Sequence, residues 1–512
     1  MSSPDLSNLL RGKPSVWLSV LRAAFVILLG VFLARAHDVT VLGPFHALVA
    51  LALTLLCARV DEVRKAAMFG WLLGIGYFGW TLRWIVEPFL VDIARHGWMA
   101  PFAIALMAAG LALFWAAAFG VARWLGGRKN AILWIPVTLT LAELARGHVL
   151  SGFPWGLLSY SMIGSVADVW LAWIGSYGSL FVLLVFAAAI QRVFLRDRLA
   201  AGAVIVATIG ATLLLSVVTP IAPDATDRTV RIVQPNATQN LKWDRDWMPV
   251  FFERALELTR IGEAADVVIW PETSIPSLLN YADPLIEQMS VAARGGTVVA
   301  GIQRRDGDSY YNSAIVIDGP QTVSAIADKS HLVPFGEYIP LAWLLRPLGL
   351  GTLVDQVAGF TAGSGTGLVE IDGLGVARIL ICYEGIFPEE IQVGDVRPDV
   401  LLIITNDAWF GTGPGPRQHL VQAQARAIEQ GLPVLRAANT GISAVIDARG
   451  AIADSLPLNE AGRLDALVPA GLPPTLYAKI GDWPLLVLLL ICIAAGVARR
   501  KPLIVDGAPP QV

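Results

Sequence analysis

Charge is scarce in this sequence. Asp, Glu, Lys and Arg make up 15% of its 512 residues, where a soluble chain carries about 25%. That shortage excludes an ordinary water-soluble protein. Cysteine is scarcer still: Cys57, Cys382 and Cys492 are the only ones, and two of them lie in strongly apolar stretches. No disulfide framework can hold such a fold. Basic tracts are missing as well, and the formal charge is -3, so a nucleic-acid-binding surface is set aside. With 55% apolar residues and a mean hydropathy of +0.60, intrinsic disorder is excluded too.

What is abundant is apolar sequence, concentrated in residues 14–223 and 483–498. A membrane span needs about 20 predominantly apolar residues. Uncharged stretches run over 39–58, 66–82, 97–122, 169–191 and 199–223. Residues 14–34 add a candidate interrupted by Arg22, 130–150 add one with Glu143 and Arg146 near its end, and Trp483–Ala498 a short eighth. The Lys and Arg clusters at 11–13, 59–65, 123–129, 192–198 and 499–501 fall on one side of an eight-span arrangement, and that side is cytoplasmic by the positive-inside rule. Arg11 and Lys13 before an apolar run resemble a signal peptide, but further spans follow, so the first span reads as an uncleaved anchor. Three parts are expected: a membrane domain with seven transmembrane helices over 1–223, a soluble domain over 224–475 on the outer side, and a last helix with a cytoplasmic tail over 476–512. Glu143, Arg146 and Arg83 sit at or near membrane depth. Such charges serve as salt bridges in a helix bundle or at headgroup level, or contact a lipid phosphate.

From Thr229 the pattern changes to short apolar runs alternating with helical segments, which predicts an α/β or layered α+β domain. Strands are expected over 230–233, 266–270, 298–303, 314–317, 377–382, 400–405 and 434–437, and amphipathic helices over 248–261 and 418–430. In such sheets chemistry gathers beyond the carboxyl ends of strands. Three ends carry reactive groups: Glu272 follows Asp266–Pro271, Lys329 and His331 follow the run after Ser324, and Cys382 to Glu384 follow Arg378–Ile381. Singly, these are a loop carboxylate, a surface cation and a small buried hydrophobe. Jointly they supply a base, a cation for a developing oxyanion and a nucleophile. A cysteine–histidine pairing through His331 or His419 stays open. A zinc site from Cys382, His331 and His419 is weaker, because no short ligand pair is present.

Trp270–Pro276, Lys329–Glu337, Ile381–Glu384 and Asn406–Gly411 resemble the successive signatures of the apolipoprotein N-acyltransferase family. Leu241–Trp243, Arg436–Gly441 and, in the membrane half, Gly152–Trp155 do so as well. The resemblance spans nearly the whole chain. It implies about eight membrane helices with an extracytoplasmic, nitrilase-like α-β-β-α sandwich inserted before the last, in a bacterial inner membrane with the catalytic domain on the periplasmic side. It also implies a catalytic triad, with Glu272 as general base, Lys329 as oxyanion partner and Cys382 as nucleophile. Glu337, Tyr383 and Glu384 match supporting positions, and Trp243 an aromatic near the substrate entrance. One departure is Gly385-Ile-Phe-Pro388 after the cysteine motif, which puts the setting of the following helix in doubt. The implied reaction is ping-pong: a phospholipid acyl chain passes through a thioester on Cys382 to the N-terminal amine of an S-diacylglyceryl-cysteine lipoprotein. No metal or dissociable cofactor is implied.

Two rivals remain at this level. A membrane-tethered amidase or nitrilase would hydrolyse carbon-nitrogen bonds with the same triad, and a transporter with an outer binding domain would show many spans beside an α/β domain. Finally, Leu341–Leu350 is unusually apolar. It reads either as a core helix or as an arm in which Trp343, Leu344, Leu345 and Leu348 rest on lipid while Gly349 and Gly351 let it move.

Overall fold

The structure, a computed structural model, describes residues 16–38, 42–58, 61–194, 197–320, 322–340, 342, 347, 359–392 and 396–499. Trp343, Leu344, Leu345, Leu348, Gly349 and Gly351 of the expected arm lie outside the described residues, as do the first fifteen positions.

The membrane half is built from apolar helices at Val16–Ala34, Gly43–Cys57, Val63–Thr81, Ala100–His148, Val169–Val193 and Arg198–Val218, with Trp483–Ala498 at the far end of the chain. Within the described residues, four helical stretches are long and apolar enough to cross a membrane: Val16–His37, Ile93–His148, Val166–Val193 and Arg198–Val218. Gly43–Leu56 and Trp483–Ala498 are apolar but shorter. The 49-residue helix is not continuous, because Gly127 takes φ 61 and breaks it. Side chains such as Val206, Leu213, Leu214 and Val217 remain exposed along Arg198–Val218. An apolar face of that extent is stable against lipid and unstable against water.

Among its described residues the second half contains twelve strands: β1 (Ala225–Gln234), β2 (Val267–Ile269), β3 (Thr297–Asp306), β4 (Ser309–Ile317), β5 (Val323–Asp328), β6 (Leu368–Ile371), β7 (Gly375–Ile381), β8 (Val400–Thr405), β9 (Val434–Ala438), β10 (Ser443–Ile446), β11 (Ile452–Leu456) and β12 (Gly462–Pro469). They form two six-stranded sheets, ordered β12-β1-β2-β3-β4-β5 and β11-β10-β9-β8-β7-β6. Each sheet has a parallel centre, β1-β2-β3 in one and β7-β8-β9 in the other, flanked by antiparallel strands.

Period-two alternation explains the layering. Val230, Ile232, Val267 and Ile269 of the first sheet meet Ile379, Ile381, Leu402 and Ile404 of the second in one buried cluster. The alternate residues face outward. Val233, Val268 and Trp270 pack under the helices Met248–Arg260 and Asp283–Ala293, while Leu380, Leu401 and Ile403 pack under Gly415–Gln430. The result is the α-β-β-α sandwich that the sequence resemblance implies. All seven expected strands are present, but β7 ends at Ile381, one residue short, so Cys382 opens a turn instead of closing a strand. Strands β5, β6, β10, β11 and β12 were not expected as such. The helix expected from Gln418 begins at Gly415.

The two halves are joined through buried polar contacts. Trp155 Nε1 donates to Gln418 Oε1 at 2.7 Å, whose Nε2 donates to Thr81 O at 3.2 Å. Ser176 donates to Glu429 through its amide and hydroxyl, at 3.0 and 2.5 Å. Gly175 breaks its helix with φ 68, and its missing Cβ leaves the space occupied by the Tyr477 ring. These buried contacts hold the α-β-β-α domain against the helices.

Candidate active site

Parallel strands put the start of each following loop at one end of the sheet. Glu272 lies just beyond β2, Lys329 immediately after β5, Cys382 immediately after β7 and Asn406 immediately after β8. The two sheets face each other with these ends together, so a carboxylate, an amine and a thiol meet although 110 residues separate the first from the last. All three are buried.

Glu272 is held from three directions. Asn312 Nδ2 donates to Oε1 at 2.7 Å, the Asn406 amide donates to Oε2 at 2.7 Å, and Lys329 Nζ stands 3.9 Å from Oε1. Lys329 itself donates to Glu337 Oε1 at 2.8 Å. Glu337 also accepts from the Val333 amide through Oε2, which ties the lysine to its own loop. Burial works against the ammonium, but Glu337 first, then Glu272 and Cys382, outweigh it and hold the amine above its ordinary value. Lys329 is therefore a cation at neutral pH in a buried site.

Cys382 takes φ 54, a left-handed conformation that costs a non-glycine residue about 1–3 kcal/mol. The surrounding bonds explain why it persists. Glu384, two residues on, accepts from the Ile381 amide and from the Ser330 amide and hydroxyl, all at 2.7 Å, and from the His331 amide at 3.2 Å. One carboxylate thus staples the cysteine turn to the lysine loop. Burial pushes the Cys382 thiol well above its ordinary value; the Glu272 charge adds to this and the Lys329 charge opposes it. The resting thiol is protonated at neutral pH and needs a base when it reacts. Alkylation of Cys382 by iodoacetamide, with Cys57 and Cys492 replaced by alanine, is accordingly expected to rise about tenfold per pH unit from pH 7 to 9. A plateau below pH 8 would show a preformed thiolate instead.

The remaining expected residues fall around this group. Tyr383 is buried and its hydroxyl donates to Gly152 O, in the membrane half, at 3.1 Å. Trp243 is half-exposed beside a pocket lined by Lys242, Thr273 and Ser274. Both histidines stand beside the cysteine turn, each paired with a carboxylate. His331 pairs with Glu390 and stacks on Phe387 at 4.1 Å. His419 Nδ1 contacts Asp407 Oδ1 at 2.9 Å, and burial, then the Arg436 charge, lowers it. Among the described residues, no group of three or more His, Cys, Asp and Glu side chains is placed to hold a metal ion.

Sequence reasoning missed Asn312, Asn406, Lys242 and Asp407 as parts of the site. Lys242 is buried, donates to Glu272 O at 3.2 Å and Thr273 Oγ1 at 2.9 Å, and is lowered to about 8 by burial against the opposing Glu272 charge. Asp407 is lowered to about 2, because Arg436 and His419 outweigh its burial. Asn406, Asp407 and Lys242 lie inside the family-like stretches Asn406–Gly411 and Leu241–Trp243, and that is the signal the sequence offers. Asn312 lies mid-strand in β4 and carried none. Of the two readings of Arg146, the structure shows the salt bridge and not the lipid phosphate: it bonds Glu143 and the Phe153 and Trp155 carbonyls with no exposed side-chain surface. Arg83, half-exposed, pairs with Asp38 at 3.2 Å.

Residues 229–479 match the family model described as carbon-nitrogen hydrolase, and residues 29–189 the one described as apolipoprotein N-acyltransferase N-terminal domain. Curated relatives named apolipoprotein N-acyltransferase are similar over most of the chain. That of Rhodopseudomonas palustris is 36% identical across 86% of this chain and 87% of its own. That of Caulobacter vibrioides is 40% identical across 84% and 85%. That of Bradyrhizobium diazoefficiens is 36% identical across 91% and 94%.

Proposed function

From the premise that the chain belongs to the apolipoprotein N-acyltransferase family, we propose that this acyl-transferring enzyme moves an acyl chain from a phospholipid, through a Cys382 thioester, to the N-terminal amine of an S-diacylglyceryl-cysteine lipoprotein. The observation that carries the mechanism is the burial of Glu272, Lys329 and Cys382 together beyond the strand ends.

In the first half-reaction Glu272 takes the thiol proton and the sulfur attacks the ester carbonyl. Lys329 stabilises the oxyanion. The intermediate collapses with loss of the lysophospholipid oxygen, which recovers the proton from Glu272. In the second half-reaction the acceptor amine attacks the thioester, gives its proton to Glu272, and expels the sulfur, which takes that proton back. Trp243 and the pocket beside Glu272 sit at the way in, and Glu337, Tyr383 and Glu384 hold the reacting groups in place.

Both substrates are lipid-anchored, which gives a physical reason for locking the catalytic domain to a helix bundle. Eight crossings, with Ala100–His148 counted as two across Gly127, agree with the alternation of Lys and Arg clusters. This agreement supports a reading in which residues 224–475 stand on the periplasmic side of a bacterial inner membrane, between a seven-helix domain over 1–223 and a helix with cytoplasmic tail over 476–512. The test is a pair of incubations of the purified enzyme with phospholipid. A diacylglyceryl-cysteine peptide should become N-acylated, with little free fatty acid formed when the peptide is omitted. Steady release of fatty acid without an amine acceptor would mark a hydrolase.

A further inference from the structure

Two buried charges in the membrane half take no part in the proposed reaction. Glu143 and Arg146 stand one turn apart near the end of the helix that closes at His148, both nearly inaccessible. Charges at that depth are expensive and persist where they are paired and bonded. Glu143 accepts from Trp115 Nε1 at 2.6 Å and from Arg146 Nε at 3.0 Å. That satisfies one side of the guanidinium. The other side donates to the carbonyls of Phe153 and Trp155, the latter at 3.0 Å, while the Phe153 amide returns a bond to Arg146 O at 2.9 Å.

The loop so gripped is turned by Gly152 at φ 69, where a Cβ would run into Gly147 O. Its far face meets the catalytic domain. Gly152 O accepts from the Tyr383 hydroxyl at 3.1 Å, and the Phe153 ring lies nearly parallel to the Tyr383 ring at 6.4 Å. Tyr383 directly follows the strained Cys382.

We propose that Arg146, anchored by Glu143, is a positioning residue for acyl transfer: it fixes the loop 152–155, and the loop fixes Tyr383 and with it the turn that presents Cys382. The active site is then complete only when the membrane helices are folded. Lysine cannot replace arginine here, since one ammonium cannot span the carboxylate and two carbonyls as a planar fork does. The inference rests on the reading of Cys382 as nucleophile.

A double-mutant cycle on the full-length enzyme in lipid nanodiscs tests it, with the single-turnover rate of acyl adduct formation on Cys382 and its dependence on phospholipid concentration as readouts. Arg146→Lys should slow adduct formation about tenfold without changing half-saturation, but less than about twofold when Tyr383 is already phenylalanine. Phe153→Leu, which leaves the buried ion pair intact, should show the same dependence on Tyr383. Equal losses in both backgrounds for either variant would overturn the inference, since the loop would then act independently of Tyr383. A wild-type enzyme that forms no adduct would instead remove the reading of Cys382 on which the inference stands.

Discussion

Replacing Cys382 by alanine or serine lowers acyl transfer by about 10,000-fold or more, the scale on which nucleophile deletions act in covalent catalysis. The protein should still fold and insert. Cys382 contributes a small side chain at the rim of the core between the sheets, and its φ of 54 is a strain that neither replacement worsens. Alanine removes the sulfur and serine offers an alkoxide that the same carboxylate cannot readily generate. Cys492 is free and half-buried in the last helix, so Cys492→Ala should leave the rate within about twofold. Transfer assays with the purified variants, beside thermal unfolding, separate loss of chemistry from loss of fold. A Cys382→Ala enzyme that acylates a peptide near the wild-type rate would exclude a thioester on this residue.

The second large effect belongs to the charges around the thiol. Glu272→Gln keeps the shape of the side chain, and its amide oxygen can still accept from the Asn406 amide while its NH2 donates to an Asn312 turned to offer its oxygen in place of its NH2, yet it cannot accept the thiol proton. Because burial and Glu272 together hold the thiol protonated, loss of the base should slow thioester formation by about 100- to 10,000-fold. Lys329→Met keeps the aliphatic stem and removes the cation, at an expected cost of about 100- to 1,000-fold through the unstabilised oxyanion. It also leaves Glu337 without its 2.8 Å partner in a buried site, so a fall in thermal stability should accompany it and not the Glu272 variant. Single-turnover kinetics of adduct formation read both. Wild-type rates in either variant would remove the role assigned to that residue and return attention to Lys242, the other buried amine beside Glu272.

How far the sequence alone reaches depends on the signal each residue carries. Val400–Thr405 forms a strand over its expected bounds because it is apolar on both faces, as a central parallel strand must be. Ile452–Leu456 escaped because it is an exposed edge with Asp454 and Ser455 in its middle, and nothing in it alternates. Gly462–Pro469 escaped for a related reason: Arg463 and Asp465 interrupt the apolar pattern, Asp465 pairing both with Arg463 and with Arg231 from the neighbouring strand. The reactive trio was legible because each member ends an apolar run, which is where parallel sheets place their loops. Its supports were not. Asn312 comes to Glu272 across 40 residues of sequence, and Arg146 serves the site through the backbone of a loop, a contact that leaves no side-chain pattern.

The central claim is that Cys382 carries the acyl group between two lipid-anchored substrates. Intact-mass measurement of the purified enzyme after incubation with a phospholipid of defined acyl chain, without acceptor, tests it most directly. The account predicts a mass increase equal to one acyl group less a hydrogen, located on Cys382, lost on treatment with hydroxylamine and lost again on addition of a diacylglyceryl-cysteine peptide. An unmodified mass under conditions where acyl transfer proceeds, or an adduct that the peptide leaves in place, would contradict it.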